Sequence, residues 1–249
     1  MGTCKLEVKN LCKSFDGSEV LKNIHFQIAA GEFVAVMGQS GCGKSTLLYC
    51  ISGMDRPTSG VIRFDGQEML TLTDKETEKF RLRHMGFIFQ KANFLKNLSI
   101  ADNIVFPAFQ LGQKSRGEIV KEEELLMGRL GILAIADHDI RKVSGGQLQR
   151  AAICRAMINH PDILFGDEPT GALNSSATKE VMDILGQINR DGTTVLLVTH
   201  DAKVAARADR VIYLEDGTVK DDFWLGKYKE NNQSQRERRM KDWLGVMKF

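Results

Sequence analysis

One stretch constrains the fold more than any other. Glu32-Phe33-Val34-Ala35-Val36-Met37 is a short, almost wholly apolar run, which reads as a strand buried on both faces. It runs directly into Gly38-Gln39-Ser40-Gly41-Cys42-Gly43-Lys44-Ser45-Thr46. Leu47, Leu48 and Ile51 then recur at helical spacing. A strand, a glycine-rich loop and a helix therefore follow in succession. The loop fits G-x-x-x-x-G-K-[ST]. Glycines at 41 and 43 permit backbone angles that aim several N–H groups at one point, and the helix adds its positive N-terminal end. That geometry suits a polyphosphate. Lys44 is placed to reach the β and γ phosphates, Ser45 to ligate Mg²⁺, and Thr46 to hold the α-phosphate side. The same string alone also suits a turn that binds nothing; the flanking strand and helix favour phosphate.

The rest of the chain repeats the α/β alternation. Short strands are predicted at residues 4–8, at Ile24–Ile28, at Val61–Phe64, at Met85–Phe89, at Ile163–Phe165, at Thr194–Val198 and at Val211–Leu214. Asp16-Gly17, Asp65-Gly66 and Asp216-Gly217 read as turns. Residues 74–84 are helical in character, and further helices are predicted at 147–159 and 176–190, with Pro161 barring continuation of the former. Residues 91–143 show no clear strand, and Ser115-Arg116-Gly117-Glu118 has the form of a capping box. A helical subdomain over about 91–160 is expected. Asp167 and Glu168 end the apolar run Ile163-Leu164-Phe165-Gly166. Ligands collect at the carboxyl ends of such strands. Asp167 there suits a hydrated Mg²⁺, and Glu168 suits orienting or deprotonating a water. A pair of solvated acids at a strand end is the plainer alternative.

Composition narrows the setting. Lys plus Arg total 34 and Asp plus Glu total 32, a net +2, so bulk electrostatics do not favour nucleic acid as a partner. Five cysteines without paired spacing favour free thiols in a reducing compartment. No segment has the roughly 20 apolar residues of a membrane span, and the first residues are not followed by a signal-peptide core.

Val143-Ser144-Gly145-Gly146-Gln147-Leu148-Gln149-Arg150 lies between the loop and the acidic strand end. Taken together, these motifs resemble the nucleotide-binding subunit of ATP-binding cassette (ABC) transporters over about residues 4–222. The resemblance implies an α/β P-loop NTPase fold with a RecA-like core, an antiparallel β subdomain and an α-helical subdomain. It implies ATP and Mg²⁺, hydrolysis of ATP, and a head-to-tail homodimer. In that dimer Ser144, Gly145, Gly146 and Gln147 of one copy face the ATP held by the other. Ser144 suits a helix N-cap, and the two glycines expose amides to an anion. The resemblance further implies Phe15 as the adenine-stacking aromatic (against ordinary core packing) and Gln90 as a ligand to metal and attacking water. It implies His200 as the γ-phosphate contact, against a structural histidine. The partner it implies is an integral membrane permease, coupled near Gln90, with the cassette cytoplasmic and peripheral on the inner face of the membrane.

Two positions depart from the pattern: Val143 replaces the usual Leu, and Asn174 in Gly171-Ala172-Leu173-Asn174 replaces the usual Asp of the cross-dimer loop. Cys42 beside Lys44 and a helix start is either an activated thiol or an inert small residue. The runs Arg81–Gln90, Asn97–Ile104 and Asp167–Leu173 resemble the lipoprotein-release, macrolide-export and bacitracin-type peptide-resistance group. The rival within it is a regulatory ATPase of the cell-division type that signals without moving a solute.

The surplus charge is local. Residues 223–249 hold seven Lys/Arg against three Asp/Glu. Asn231-Asn232-Gln233-Ser234 reads as a linker, after which Met240, Trp243, Leu244 and Met247 share one helical face. That face either touches an anionic membrane or the permease, or packs on its own domain.

Overall fold

The computed structural model describes residues 3–247. In chain order the elements are β1 (Cys4–Phe15), β2 (Ser18–Ala29), β3 (Phe33–Met37), α1 (Lys44–Ile51), β4 (Ser59–Phe64), β5 (Gln67–Glu68), α2 (Asp74–His84) and β6 (Met85–Phe89). They continue with α3 (Ile100–Leu111), α4 (Arg116–Arg129), α5 (Gly145–Met157), β7 (Ile163–Asp167), α6 (Ser175–Arg190) and β8 (Thr194–Val198). The last are α7 (Ala202–Ala205), β9 (Arg210–Glu215), β10 (Thr218–Trp224) and α8 (Gln233–Val246). The elements form two compact units, one from residues 3–73 and 189–247, the other Asp74–Ile188.

The first unit holds two sheets. One is antiparallel, in the order β2-β1-β4-β5. The hairpins β1–β2 and β4–β5 are closed by Asp16-Gly17 and Asp65-Gly66, all four residues in the left-handed region. Two-residue loops of that kind match the strand twist, and Asp-Gly is a favoured pair for them. β1 is longer than the predicted 4–8, because its alternating buried residues continue through Leu11 to the turn. In the second sheet β3 runs parallel between β8 and β9, and β10 pairs antiparallel with β9 across the Asp216-Gly217 turn. Every residue of β3 and β8 is buried, as their continuous apolar runs require.

The second unit pairs β6 with β7 in parallel and carries a helical core. Ile100, Ile104 and Ala108 of α3, Ile119 and Met127 of α4, and Ala151, Ala152 and Cys154 of α5 form one buried cluster spanning Ala92 to Ile158. The cluster lies wholly within the second unit. The Ser115 and Glu118 capping box that opens α4 is formed as read.

The tail differs from the expectation. β10 runs through Trp224, across the expected boundary at 222/223. The segment read as a linker is a 3-10 turn, Glu230–Asn232, that passes straight into α8. Of the two fates open to the apolar face, the structure takes packing on its own domain: Met240, Trp243 and Leu244 are buried. Arg236, on the same helix, is 2% exposed. Its guanidinium donates to the carbonyls of Ala206, Ala208, Leu225 and Gly226. A buried guanidinium is tolerated only when its donors are spent this way. Among the described residues no helix is long and apolar enough to cross a membrane, and all five cysteines are free thiols.

Candidate functional site

In the first unit the glycine-rich loop leaves the carboxyl end of β3. A Cβ on Gly38 would stand 2.1 Å from the Leu214 carbonyl oxygen and 2.7 Å from Cys42 Sγ, so the loop is pressed against β9 and no side chain fits there. Gly43 is the N-cap of α1, with φ +100 and no side-chain cap. A Cβ there would meet Leu21 Cδ2 at 2.9 Å. No acidic residue occupies the first turn of α1. A helix start left without a side-chain cap or a carboxylate presents amides and the positive dipole end to an outside anion. Lys44 is buried, and its Nζ donates to the carbonyls of Gly38 at 2.8 Å and Gln39 at 2.7 Å. The ammonium is thus held against the start of the loop. Gln39, Ser40, Gly41 and Ser45 are exposed, and Thr46 is half-buried. The donor set fits a polyphosphate: backbone amides, one ammonium and two hydroxyls.

Cys42 takes the inert alternative. It is 8% exposed, and burial pushes its thiol up despite the opposing pull of Lys44. Desolvation of the thiolate outweighs the helix start and the cation together.

His200 follows β8, the strand beside β3, in register Val36↔Val198. Thr199 N donates to Val36 O at 3.1 Å, and Thr199 Oγ1 accepts from Asp201 N at 3.0 Å. His200 is exposed at the carboxyl edge that also launches the phosphate loop. Phe15 is 46% exposed, with Lys13 Nζ 4.6 Å from its ring centre. Ordinary core packing is therefore excluded for Phe15.

In the second unit Gln90 and Asp167 stand at the carboxyl ends of neighbouring strands, since Phe89 pairs with Asp167. Glu168 follows in the left-handed region, φ 47, an uncommon conformation for a non-glycine residue. Gly171 marks where the side chains converge: a Cβ on it would lie 2.9 Å from Gln90 Nε2 and 3.2 Å from Glu168 Oε2. The amide and the carboxylate thus meet over one small residue. Among the described residues no group of three or more His, Cys, Asp or Glu side chains is arranged to hold a metal. Mg²⁺ needs only one or two protein oxygens when phosphate and water supply the rest, so a single exposed hydroxyl or strand-end carboxylate suits that demand.

Ser144 caps α5 and forms a closed capping box. Its Oγ accepts from Gln147 N at 3.3 Å, and Gln147 Oε1 accepts from Ser144 N at 2.9 Å. The Gln147 side chain is thereby spent on the helix start. Ser144 and Gly145 are exposed, and Gly146 is half-buried. Asn174 turns out to cap α6: Oδ1 accepts from Ala177 N at 2.9 Å. Its amide does the capping work open to the expected Asp, without the charge.

Two residues escaped the sequence reading. Gln149 is buried and donates to Phe89 O at 3.2 Å. Arg155 donates to the carbonyls of Ala92 and Asn93 and lies 4.4 Å over the Phe94 ring; burial brings its pKa down to about 10. Together they tie both sides of Gln90 to α5. The available signal was a Gln and an Arg among the alanines and Ile153 of a buried helix face.

The comparisons with known proteins agree with this geometry. Residues 21–171 match the family model described as ABC transporter. The macrolide export ATP-binding/permease protein MacB of Rhodopseudomonas palustris is 44% identical over 223 residues, 88% of this chain and 34% of that protein. The probable syringafactin export ATP-binding/permease protein SyfD of Pseudomonas syringae is 43% identical over 223 residues, 88% of this chain and 34% of that protein. The chain thus spans about a third of the length of these curated relatives. A solved dimeric ATP-binding cassette, MJ0796, in a post-hydrolysis state with ADP and Pi, superposes with TM-score 0.83 at 36% identity, covering 90% of this chain and 100% of that one. A family match over more than half of the chain, on a fold that carries the loop, the capped glycine pair and the acidic strand end in this order, has one reading: the chain belongs to the ABC transporter family, as one of its ATP-binding cassettes.

Proposed function

We propose that this chain hydrolyses ATP to power a membrane permease, as one half of a head-to-tail homodimer. The observation that carries the reading is the phosphate loop: a buried lysine at a helix start that no side chain caps. Gly38–Thr46 cradles the phosphates, and Phe15 stacks on the base. Ser144–Gly146 of one copy faces the γ-phosphate held by the other, with Gln147 fixing the helix start that presents those amides. Ser45, Asp167 and Gln90 would hold Mg²⁺, which would offset the charge of the phosphates. Glu168 orients and deprotonates the water, Gln90 aligns it, and His200 reads the γ-phosphate. ATP is then part of the interface, so binding favours closure and loss of the γ-phosphate favours opening. Positioning and charge do most of the catalytic work.

The relatives' printed functions, macrolide and syringafactin export, support export or resistance as the role of the assembly. The cargo class proposed is antimicrobial peptide, lipid or lipoprotein, with the cassette on the cytoplasmic face of the membrane beside an integral permease subunit.

Glu168→Gln tests the core of this reading. It keeps ATP binding, accumulates as a dimer with ATP by light scattering, and loses about 10²–10⁴-fold in turnover. Turnover close to the unsubstituted protein would remove Glu168 from the assigned role.

A further inference from the structure

Helix α8 ends against the strand that flanks the phosphate loop. Trp243 is 9% exposed. Its Nε1 donates to Asp221 Oδ2 at 2.8 Å. Its ring stacks on Phe223 at 4.9 Å and meets Tyr213 edge-on at 5.9 Å and 84°. Tyr213 is fully buried and pairs in the parallel ladder with Met37, the residue before Gly38. Its neighbour Leu214 supplies the carbonyl that leaves no room for a side chain at Gly38. Burial, then the Glu215 carboxylate, push the Tyr213 phenol up. Two contacts therefore separate α8 from the first residue of the loop.

We propose that Trp243 is a positioning residue for nucleotide binding: packed on Tyr213, it fixes β9 and thereby the Leu214 carbonyl that sets the path of the loop at Gly38. The inference rests on the reading that Gly38–Thr46 holds the nucleotide's phosphates. The physical ground is close packing. A phosphate cradle made of amides works only within a fraction of an ångström, and a carbonyl in contact with Gly38 passes any displacement of β9 directly to it. Arg236 gives α8 a second hold, at Ala206 O just after α7, which keeps the helix seated while the loop loads. If α8 only covered apolar surface, nothing at Trp243 would respond to phosphate.

The chain has two tryptophans, and Trp224 is 57% exposed. Trp224→Phe therefore leaves Trp243 as the sole tryptophan in an otherwise intact protein. ATP with Mg²⁺ is titrated into this variant, with emission and calorimetry followed in parallel. The expected result is a change in Trp243 emission that saturates along the calorimetric isotherm. Heat of binding with flat emission overturns the proposal. No heat at all overturns the nucleotide reading beneath it. In the unsubstituted background, Trp243→Ala weakens ATP affinity about tenfold with kcat nearly held. Trp243→Phe, which keeps both ring contacts, stays within about twofold on the same scale. A folded Trp243→Ala protein that binds ATP normally also overturns it.

Discussion

Two helix starts in this molecule are assigned the same kind of ligand, and they are built in opposite ways. α1 begins at a left-handed Gly43 with no side chain capping it. α5 begins at Ser144 and is closed by a complete capping box with Gln147. The box uses the third amide of α5 and leaves the first two, from Gly145 and Gly146, outside it. One start is thus left for an anion to complete, and the other is complete before an anion arrives. The difference teaches how the labour is divided. A start that lacks its own cap gives up local stability and gains affinity. A self-capped start holds its shape by itself, so its glycines are presented already in place.

This contrast can be broken, most strongly at Lys44. Lys44→Ala removes the ammonium from the uncapped start and should weaken ATP binding about a hundredfold, from the loss of charge-assisted hydrogen bonds. Isothermal calorimetry measures it, and affinity within threefold of the original protein would mean that the amides suffice alone. The opposite pattern is expected at the other start. Ser144→Ala costs about 1 kcal/mol of stability without nucleotide, a fall of about 2–4 °C in Tm. Nucleotide affinity of the monomer stays unchanged, and calorimetric scanning beside a binding titration would separate the two effects. Asn174→Asp sharpens the comparison at a third start, α6. A carboxylate there favours the helix dipole by about 0.3–1 kcal/mol, so Tm should rise slightly; a fall would show that the amide makes a contact the acid cannot. The smallest effect concerns Cys42. Burial keeps its thiol protonated, so an alkylating reagent at pH 8 should label exposed Cys4 and spare Cys42. Mass spectrometry of the peptides reads this, and rapid Cys42 labelling would mean that the helix start outweighs desolvation.

The contrast also shows where sequence was enough. The Asp-Gly turns at 16–17 and 65–66 were legible because the left-handed pair leaves few residues to choose from; the strand β10 that follows Asp216-Gly217 was not. β3 and β8 were legible because a short continuous apolar run suits a strand buried on both faces. The capping box at Ser115 follows from local spacing alone. What was not legible depends on contacts distant in the chain. The full length of β1 needed its two partner strands, because its alternating pattern is interrupted by Lys9 and Asn10. Gln149 and Arg155 look like lapses in an apolar face until the carbonyls of Phe89, Ala92 and Asn93 come to meet them. The tail face was correctly read as one face, but a helical stripe cannot say whether a membrane or a sheet will cover it. Arg236 was the missing clue, and its acceptors lie as much as 30 residues away.

The split composition of the first unit bears on how the chain is made. Asp74–Ile188 is continuous, so its helices can find one another as soon as they emerge from the ribosome. β3 cannot. Its neighbours β8 and β9 are synthesised about 160 residues later, a long-range pairing that slows closure. Arg236 arrives later still, and the carbonyls of Ala206 and Ala208 wait for it. During translation the phosphate loop is thus written well before the strands β8 and β9 that hold it in shape.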